Sequence, residues 1–509
     1  MNCIISFCQG YVKFVKKYKP FTLTFPITAY FIKFRILFIN QSNLMKSILT
    51  VLICFSFLMF SSETFAQSHA STGASSAPVY QPFLKQLADG VSADRLETDI
   101  RILAGFENRH TLSDTTSDTK GIGAARRWIK REFEKISEEC GGCLEVFYVN
   151  GTVGGENRIP EPVQIVNVVA VQRGTADPNR VVMMTGDIDS RASNVMDAET
   201  DSPGANDNAS GMAGTIEAAR VLSKHQFPGT IVYAGLSGEE QGLFGGEIVA
   251  DYALENNWRI KAVLNNDMIG NIVGINGVIN NTTARVFSEG TRPTETDREA
   301  RIRRFTGGEV DSPSRNLARY IHVMGEQYID NLDVMMIYRL DRFGRGGHHR
   351  PFNDVGLPAV RIMETNENYN WQHQDIRTEN GIEYGDVIEH VDFDYAAKLT
   401  ALNVVSLAGM AKAPAPPSGV EISGAVRPST TLSWDALNPE QNPQLEGYKV
   451  YWRLTTSPVW TYGRLTGNVT EFTLENIVID NYFFGVASVS EEGYESPIVF
   501  PGPIGSFGD

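Results

Sequence analysis

The segment VVMMTGDIDSR (181–191) opens the stretch that decides the fold of this chain, which continues with PGANDNASG (203–211) and ends with IVYAGLSGEEQGL (231–243). Val181–Thr185 and Thr230–Leu236 are short apolar runs, partly β-branched and bounded by Gly or Asp, which predicts buried strands. In Met212–Leu222 the apolar residues recur at helical spacing, so Asn208–Ser210 is the predicted start of a helix. The stretch therefore predicts a sheet with helices packed on it, an α/β fold.

Acidic residues follow or separate these predicted elements: Asp187, Asp189, Asp207, Glu239 and Glu240. Open α/β sheets bind their ligands at the carboxyl ends of the strands, where these side chains are expected to lie. Carboxylates crowded into a dry cleft repel one another. One or two divalent cations are the simplest way to hold them together.

The composition excludes some classes of protein. The chain has 509 residues, of which 42% are hydrophobic and 21% are charged, as in a globular protein of two or more folded units. Its formal net charge is −15 at pH 7, which argues against nucleic acid as a partner.

The N-terminal part resembles an export signal preceded by extra residues. Residues 45–66 contain Lys46, an apolar run from Ile48 to Phe60 and a small-residue end at Ala66, which predicts a signal peptide. Residues 1–44 are interpreted as an over-extended start. The alternative is a true extension that contains a membrane segment, but Lys33 and Arg35 interrupt its apolar run. We therefore expect a secreted or periplasmic protein.

Two of the five cysteines, Cys140 and Cys143, come after the predicted signal peptide. In an exported chain a nearby pair predicts a local disulfide. A redox role is the weaker alternative, because the pair follows the predicted helix Ile122–Ile136 instead of beginning a helix. Two cysteines alone do not make a structural zinc site.

The remaining chain divides at a Pro-rich segment, residues 412–419, which is the predicted linker. Residues 67–411 form the predicted catalytic domain, within which residues 274–312 are polar and expected to be irregular. Residues 420–509 are all-β in pattern and resemble a fibronectin type III domain, a small sandwich with no catalytic cluster. Attachment to a surface, a polymer or a partner is the role expected of this domain.

The candidate metal ligands are Asp187, Asp207, Glu240, Asp267 and His373. Carboxylates and imidazole suit zinc, and an oxygen-rich set also admits other divalent metals. Two metals that share a bridging carboxylate can activate one water molecule. Of the adjacent Glu239 and Glu240, one would ligate a metal and the other would serve as general base. Taken singly, Asp207 could only cap a helix, and His373 could be a surface histidine.

Six motifs together resemble the co-catalytic zinc exopeptidases related to bacterial leucine aminopeptidase, aminopeptidase Y and glutamate carboxypeptidase: GDIDSR (186–191), PGANDNASG (203–211), SGEEQGL (237–243), NNDMIG (265–270), GGHHRPF (346–352) and WQHQD (371–375). The resemblance covers roughly residues 90–412. It implies a mixed, mostly parallel sheet with helices on both faces, peptide or protein substrates, and two zinc ions. The second of these sites could hold another divalent metal.

Carried over by position, the resemblance makes Asp207 the residue that bridges the two metals. Glu240 and His373 would complete one site, and Asp187 and Asp267 the other. Glu239 would be the general base and acid of the reaction.

Two positions depart from the family pattern. The family has a histidine ligand where this chain has Asp187, which leaves the role of Asp189, the partner of that histidine in the family, open. His348 stands where relatives carry Asp, before His349, and both are implied to border the substrate pocket.

The favoured activity is that of an aminopeptidase, with carboxypeptidase activity left open. The first alternative is a glutaminyl cyclase with one zinc, which Trp371 near His373 favours. The second alternative is a binding protein with an impaired site, against which the presence of both Glu239 and Glu240 argues.

Overall fold

The computed structural model describes residues 76–508 and the backbone of two further strands, β1 (Phe21–Ile27) and β2 (Tyr30–Ile36), which pair antiparallel. Residues 1–73 and 74–509 are separate units. The predicted signal peptide at 45–66 and, apart from these two strands, the predicted over-extended start lie outside the described residues. Among the described residues, no helix has the length and apolar character needed to cross a membrane.

The main sheet has eight strands, in the order β3-β4-β6-β5-β7-β10-β8-β9. Their bounds are β3 Leu144–Val153, β4 Val163–Gln172, β5 Asp177–Asp187, β6 Gly229–Leu236, β7 Arg259–Asn266, β8 Thr283–Ser288, β9 Asp333–Ile337 and β10 Ala359–Glu364. A separate hairpin consists of β11 Arg377–Glu379 and β12 Ile382–Tyr384.

Helices flank the sheet, with bounds α1 Pro82–Asp89, α2 Ala93–Ala104, α3 Gly121–Glu139, α4 Gly211–Leu222, α5 Glu239–Gly242, α6 Phe244–Glu255, α7 Asp297–Thr306, α8 Pro313–Tyr328, α9 His349–Asp354 and α10 Phe393–Lys412. Side chains alternate between the two faces of β5. Val182 and Met184 pack into one hydrophobic core with α4 and α10, whereas Val181 and Met183 pack into another with α6. This two-sided burial explains why the strand is a continuous apolar run.

The central strands of the sheet, β6-β5-β7-β10, are parallel to one another. Strand β3 pairs antiparallel with β4, β4 with β6, and β8 with β10. The predicted fold class, a mixed and mostly parallel sheet with helices on both faces, is confirmed. Because the central strands run the same way, their carboxyl ends meet at one edge. Asp187, Glu239 and Asp267 come at or just after three of these ends.

The prediction of an irregular segment at 274–312 was wrong. This segment contains strand β8, which lies inside the sheet between β10 and β9, and helix α7. The helix has no buried residue, so it lacks the apolar stripe by which a helix is recognised in a sequence. Strand β8 has only six residues, which is too few to show a clear period.

The C-terminal part is a sandwich of two three-stranded antiparallel sheets, β13-β14-β17 and β16-β15-β18. Their strands are β13 Glu421–Ser423, β14 Thr430–Ser433, β15 Leu445–Leu454, β16 Tyr462–Gly467, β17 Glu471–Leu474 and β18 Tyr482–Ser490. Trp434, Trp452 and Phe484 lie in its hydrophobic core, where aromatic residues of a sandwich are expected. The linker before it is fixed: the Ala415 amide donates to Asn442, and Ser488 donates to the Ala415 carbonyl at 2.7 Å.

The sandwich belongs to the same compact unit as the α/β part, because buried charges cross between them. Arg453 of β15 binds Asp311 through Nη2 and Oδ2 at 2.7 Å, and the other Asp311 oxygen accepts from Arg319 of α8 at 2.9 Å. Arg319 also donates to the carbonyl of Pro458 in the sandwich. At the other end of the contact, Lys261 of β7 donates to the Gly508 carbonyl at 2.6 Å.

From the sequence alone, the Pro-rich segment at 412–419 predicts that a chain ending near Ala413 folds without the sandwich. Such a truncation would expose Asp311 and Arg319, which are at most 2% exposed here. We infer that the α/β part depends on the sandwich for part of its stability.

We expect Arg453→Met to lower the free energy of unfolding by about 3 kcal/mol, because it removes one partner of a buried ion pair. The matched control is Arg464→Met, which changes an exposed arginine of the same sandwich and should stay within about 0.5 kcal/mol of the parent protein. Thermal and urea unfolding of the full chain measure both. Equal stability of the two variants would show that the buried pair does not hold the two parts together.

Candidate metal centre and active site

Asp207 lies in an irregular turn, Ala205–Ser210, and not in the first turn of a helix. Helix α4 begins at Gly211, one residue after the predicted start, and the peptide bond between Asp207 and Asn208 is cis. Gly211 allows α4 to approach the end of β7 closely, since a Cβ there would lie 2.2 Å from the carbonyl oxygen of Asn266. Gly211, the last residue of the PGANDNASG motif, therefore lets the turn that carries Asp207 lie at the edge of the sheet.

Two residues that the sequence analysis did not single out hold this turn. Asp386 accepts hydrogen bonds from the amides of Asn206 and Asp207 at 2.8 and 2.6 Å. Arg109 is fully buried and donates to the carbonyls of Ile188 and Gly204 at 2.8 and 2.9 Å. Both lie far from Asp207 in the chain, and no local motif marks them, so only the folded structure reveals them.

Glu239 and Glu240 begin the short helix α5, and Asp189 holds their backbone. The two oxygens of Asp189 accept from the amides of Glu239 and Glu240 at 3.2 and 3.1 Å. Gly238, just before them, has φ +79°, a left-handed conformation that favours glycine. Asp189, whose role the sequence left open, therefore caps the helix that carries both glutamates.

Three of the predicted ligands converge. His373 Nε2 lies 2.9 Å from Asp207 Oδ2 and 2.9 Å from Glu240 Oε1. One ligand atom of each of these residues lies within 4.8 Å of the other two, the geometry of a metal-binding group. Two carboxylates and one imidazole are a donor set that zinc accepts, with a fourth position left for water or substrate.

The electrostatics of the three residues favour a cation between them. Burial opposes the charge on His373, but Glu240 and Asp207 offset it and raise its pKa to about 9. Burial would raise the pKa of Asp207, but the nearby His373 holds it below its usual range. The centre therefore stabilises positive charge strongly.

The other two predicted ligands bind protein groups. Asp267 Oδ2 lies 2.7 Å from Nη2 of Arg361. Asp187 Oδ1 lies 2.6 Å from Nδ1 of His348, and its Oδ2 accepts from Asn208 at 2.7 Å. Burial raises the pKa of Asp187 to about 8. The prediction that Asp187 and Asp267 ligate a metal thus remains a prediction, and neither belongs to the converging group.

His348 and His349 do not border the cleft. Both are fully buried, His348 against Asp187 and His349 against the carbonyl of Leu340 at 2.8 Å, and neither lines the active-site cavity. His349 begins helix α9, His348 directly precedes it, and the helix packs against α6.

A disulfide bond joins Cys140 and Cys143 just after helix α3, as the sequence predicts.

Glu239 faces the same open cavity as the three converging residues. The cavity has a volume of about 670 Å³, and its lining includes Asp207, Glu239, Glu240, Asp267 and His373. Burial, followed by the charges of Asp267 and Glu240, raises the pKa of Glu239 well above its ordinary value. A carboxylate with a raised pKa beside a cation-binding centre is suited to taking up and releasing a proton.

Comparison with known proteins agrees with this geometry. The sequence model of peptidase family M28 matches residues 167–394. A probable zinc metalloprotease of Pyrenophora tritici-repentis is 42% identical over 423 residues, which are 82% of this chain and 87% of that protein. This chain belongs to peptidase family M28. A probable zinc metalloprotease of Leptosphaeria maculans is 41% identical over 427 residues, 84% of this chain and 98% of that protein.

Membership of family M28 confirms the predicted family and the predicted class of enzyme, a peptidase. Among solved structures, the LapA aminopeptidase of Legionella pneumophila aligns with a TM-score of 0.48 and 20% identity. That alignment covers 66% of this chain and 77% of the other.

Proposed function

We propose that this M28 peptidase is a secreted or periplasmic, zinc-dependent aminopeptidase. The observation that carries the proposal is the convergence of Asp207, Glu240 and His373, with Glu239 in the same cavity. The predicted signal at 45–66 and the disulfide between Cys140 and Cys143 support export, because disulfides persist in oxidising compartments.

Asp207, Glu240 and His373 would hold the zinc ion. When bound, zinc supplies Lewis-acid chemistry: it polarises a carbonyl group and makes a water molecule more acidic. Asp386 and Asp189 keep the Asp207 turn and the Glu240 backbone in place, so these ligands need little rearrangement.

Glu239 moves the protons of the reaction. Its carboxylate oxygen takes a proton from the attacking water and passes it to the nitrogen of the departing amine, so the peptide bond is cleaved into an acid and an amine. Asp189 fixes the backbone of Glu239 and thereby directs its side chain.

Trp371, the residue that favoured a glutaminyl cyclase, lies outside the cavity that holds the candidate zinc ligands. Trp371 stacks on His390, with ring centroids 3.8 Å apart, and does not line the cavity of Glu239. A binding protein with an impaired site would not need a base such as Glu239 in the cleft. Peptide hydrolysis therefore accounts for more of the site than either alternative.

Glu239→Gln should lower kcat by at least about 100-fold, because the amide keeps the shape of the side chain but cannot accept the proton. Zinc content should be unchanged, since Glu239 does not belong to the converging group. The matched control, Glu255→Gln at an exposed position of helix α6, should keep full activity. Hydrolysis of leucine p-nitroanilide together with zinc content measures both variants. Activity of Glu239→Gln within a few-fold of the parent protein would exclude Glu239 as the base.

The aminopeptidase assignment predicts a requirement for a free α-amine. Leucine p-nitroanilide should be cleaved, and its N-acetyl derivative should be cleaved at least about 100-fold more slowly, because acetylation blocks the free α-amine that an aminopeptidase recognises. Equal cleavage of the two would contradict the assignment. Release of ammonia from a peptide with N-terminal glutamine, without hydrolysis of the anilide, would instead identify a cyclase.

A further inference from the structure

The second metal site that the family resemblance implies requires Asp187, Asp207 and Asp267 to converge. In the described part of the chain, the acidic and histidine side chains that come close enough to hold one ion are Asp207, Glu240 and His373. Asp187 and Asp267 stay outside this group although both are buried at the same edge of the sheet. Their contacts show what takes the place of an ion.

A buried guanidinium lies against Asp267. Arg361 is 0% exposed, and its Nη2 lies 2.7 Å from Asp267 Oδ2. Its Nη1 binds Asp341 at 3.1 Å and donates to the carbonyl of Gly346 at 2.6 Å. Arg361 lies on β10, paired in register with Asn265 of β7, two residues before Asp267. The sheet therefore fixes this positive charge beside Asp267.

Both carboxylate oxygens of Asp187 are also engaged. His348 Nδ1 lies 2.6 Å from one, and Asn208 Nδ2 donates to the other at 2.7 Å. Turning Asp187 toward a metal would take the acceptor from two buried polar groups, and an unsatisfied buried polar group is costly. Asp187 is thus held by a network that competes with metal binding.

We propose that Arg361 supplies the positive charge which a second metal ion would supply, and that the chain binds one zinc ion, at Asp207, Glu240 and His373. A guanidinium stays protonated at any physiological pH and repels a divalent cation placed beside it. Asp267 then serves as the partner of Arg361. The inference rests on the proposed function for the identity of the metal.

The test is the zinc content of the full chain, saturated with zinc, freed of excess metal by gel filtration, and measured by elemental and native mass spectrometry. The parent protein should hold one zinc ion. Asp267→Asn should still hold one, because the amide oxygen can accept from Arg361. His373→Ala should fall toward zero, whereas the control His225→Ala, which changes a histidine packed on Phe83, should keep one.

Two zinc ions in the parent protein, with one in Asp267→Asn, would overturn the inference and leave the proposed function intact. No zinc and no hydrolysis in the parent protein would overturn both. If Asp267→Asn fails to fold, as circular dichroism would show, the stoichiometry of the parent protein alone decides the question.

A separate observation concerns the rim of the cavity, which carries five arginines: Arg158, Arg191, Arg342, Arg345 and Arg350. Arg342 and Arg345 share Glu367, at 2.9 and 3.3 Å. Arg350 has no acidic partner among the described residues, and its Nε is buried without a hydrogen-bond partner. Arg191 lies 3.7 Å from Glu240, so Arg158 and Arg350 are the rim arginines that no carboxylate of the described residues pairs with.

The geometry points to substrates that carry a carboxylate, bound at the rim by Arg350. The carboxylate could belong to an acidic side chain or to the C-terminus of a short peptide, and both offer the planar group that a guanidinium binds with two hydrogen bonds. The inference rests on the proposed peptidase function, and it adds the class of substrate.

Substrate pairs distinguish the two sources. Glutamate and leucine anilides report an acidic side chain, and a dipeptide with a free or amidated C-terminus reports the terminal carboxylate. In the parent protein kcat/KM should favour the carboxylate form of at least one pair. Arg350→Ala should reduce that preference about 10-fold, mainly through KM, because it removes a charge-assisted hydrogen bond.

The control is Arg464→Ala, an exposed arginine of the sandwich, which should leave the preference unchanged. Equal preference in the parent protein and Arg350→Ala, with normal hydrolysis of the leucine anilide, would overturn the inference about substrate class. Loss of hydrolysis on every substrate in the parent protein would instead overturn the proposed function.

Discussion

The site depends on how the protein compensates a group of buried carboxylates at one edge of its sheet. A buried charge is tolerated only when it is paired or hydrogen-bonded, and five acidic side chains at this edge have such a partner. Asp189 accepts two backbone amides, Asp267 binds Arg361, and Asp187 binds His348. Asp207 and Glu240 meet at His373, and they form the pair that a metal ion is best placed to stabilise.

In the proposed one-zinc arrangement the compensation is divided between a fixed cation and an exchangeable one. The guanidinium of Arg361 belongs to the sheet and is independent of metal supply, whereas the zinc ion can exchange with solvent. This division would keep Asp267 and the carboxyl end of β10 ordered when the metal leaves. It would also confine the response to metal to the side of the cleft that carries Asp207 and His373.

The sandwich joins the α/β part by the same physical means. Arg453, Asp311 and Arg319 form a buried series of charges across the contact, and each is at most 2% exposed. The sequence pattern divides the chain at the Pro-rich segment 412–419, because the α/β pattern ends there and an all-β pattern begins. The contacts instead join the two parts in one compact unit. A change in composition shows where one kind of secondary structure gives way to another. It does not show whether the two parts are joined by buried ion pairs.

The sequence by itself determined the α/β class, most strands of the main sheet, and the residues that carry the chemistry, since buried strands and motif spacing are local properties. It missed β8 and α7, which have no distinct period, and it missed Asp386 and Arg109, whose partners are distant in the chain. The tertiary structure alone decided which acidic residues converge. Asp187 and Asp267 look like ligands in sequence. Their partners in the fold are His348, just before α9, and Arg361 on β10, and no local pattern relates these residues to the two aspartates.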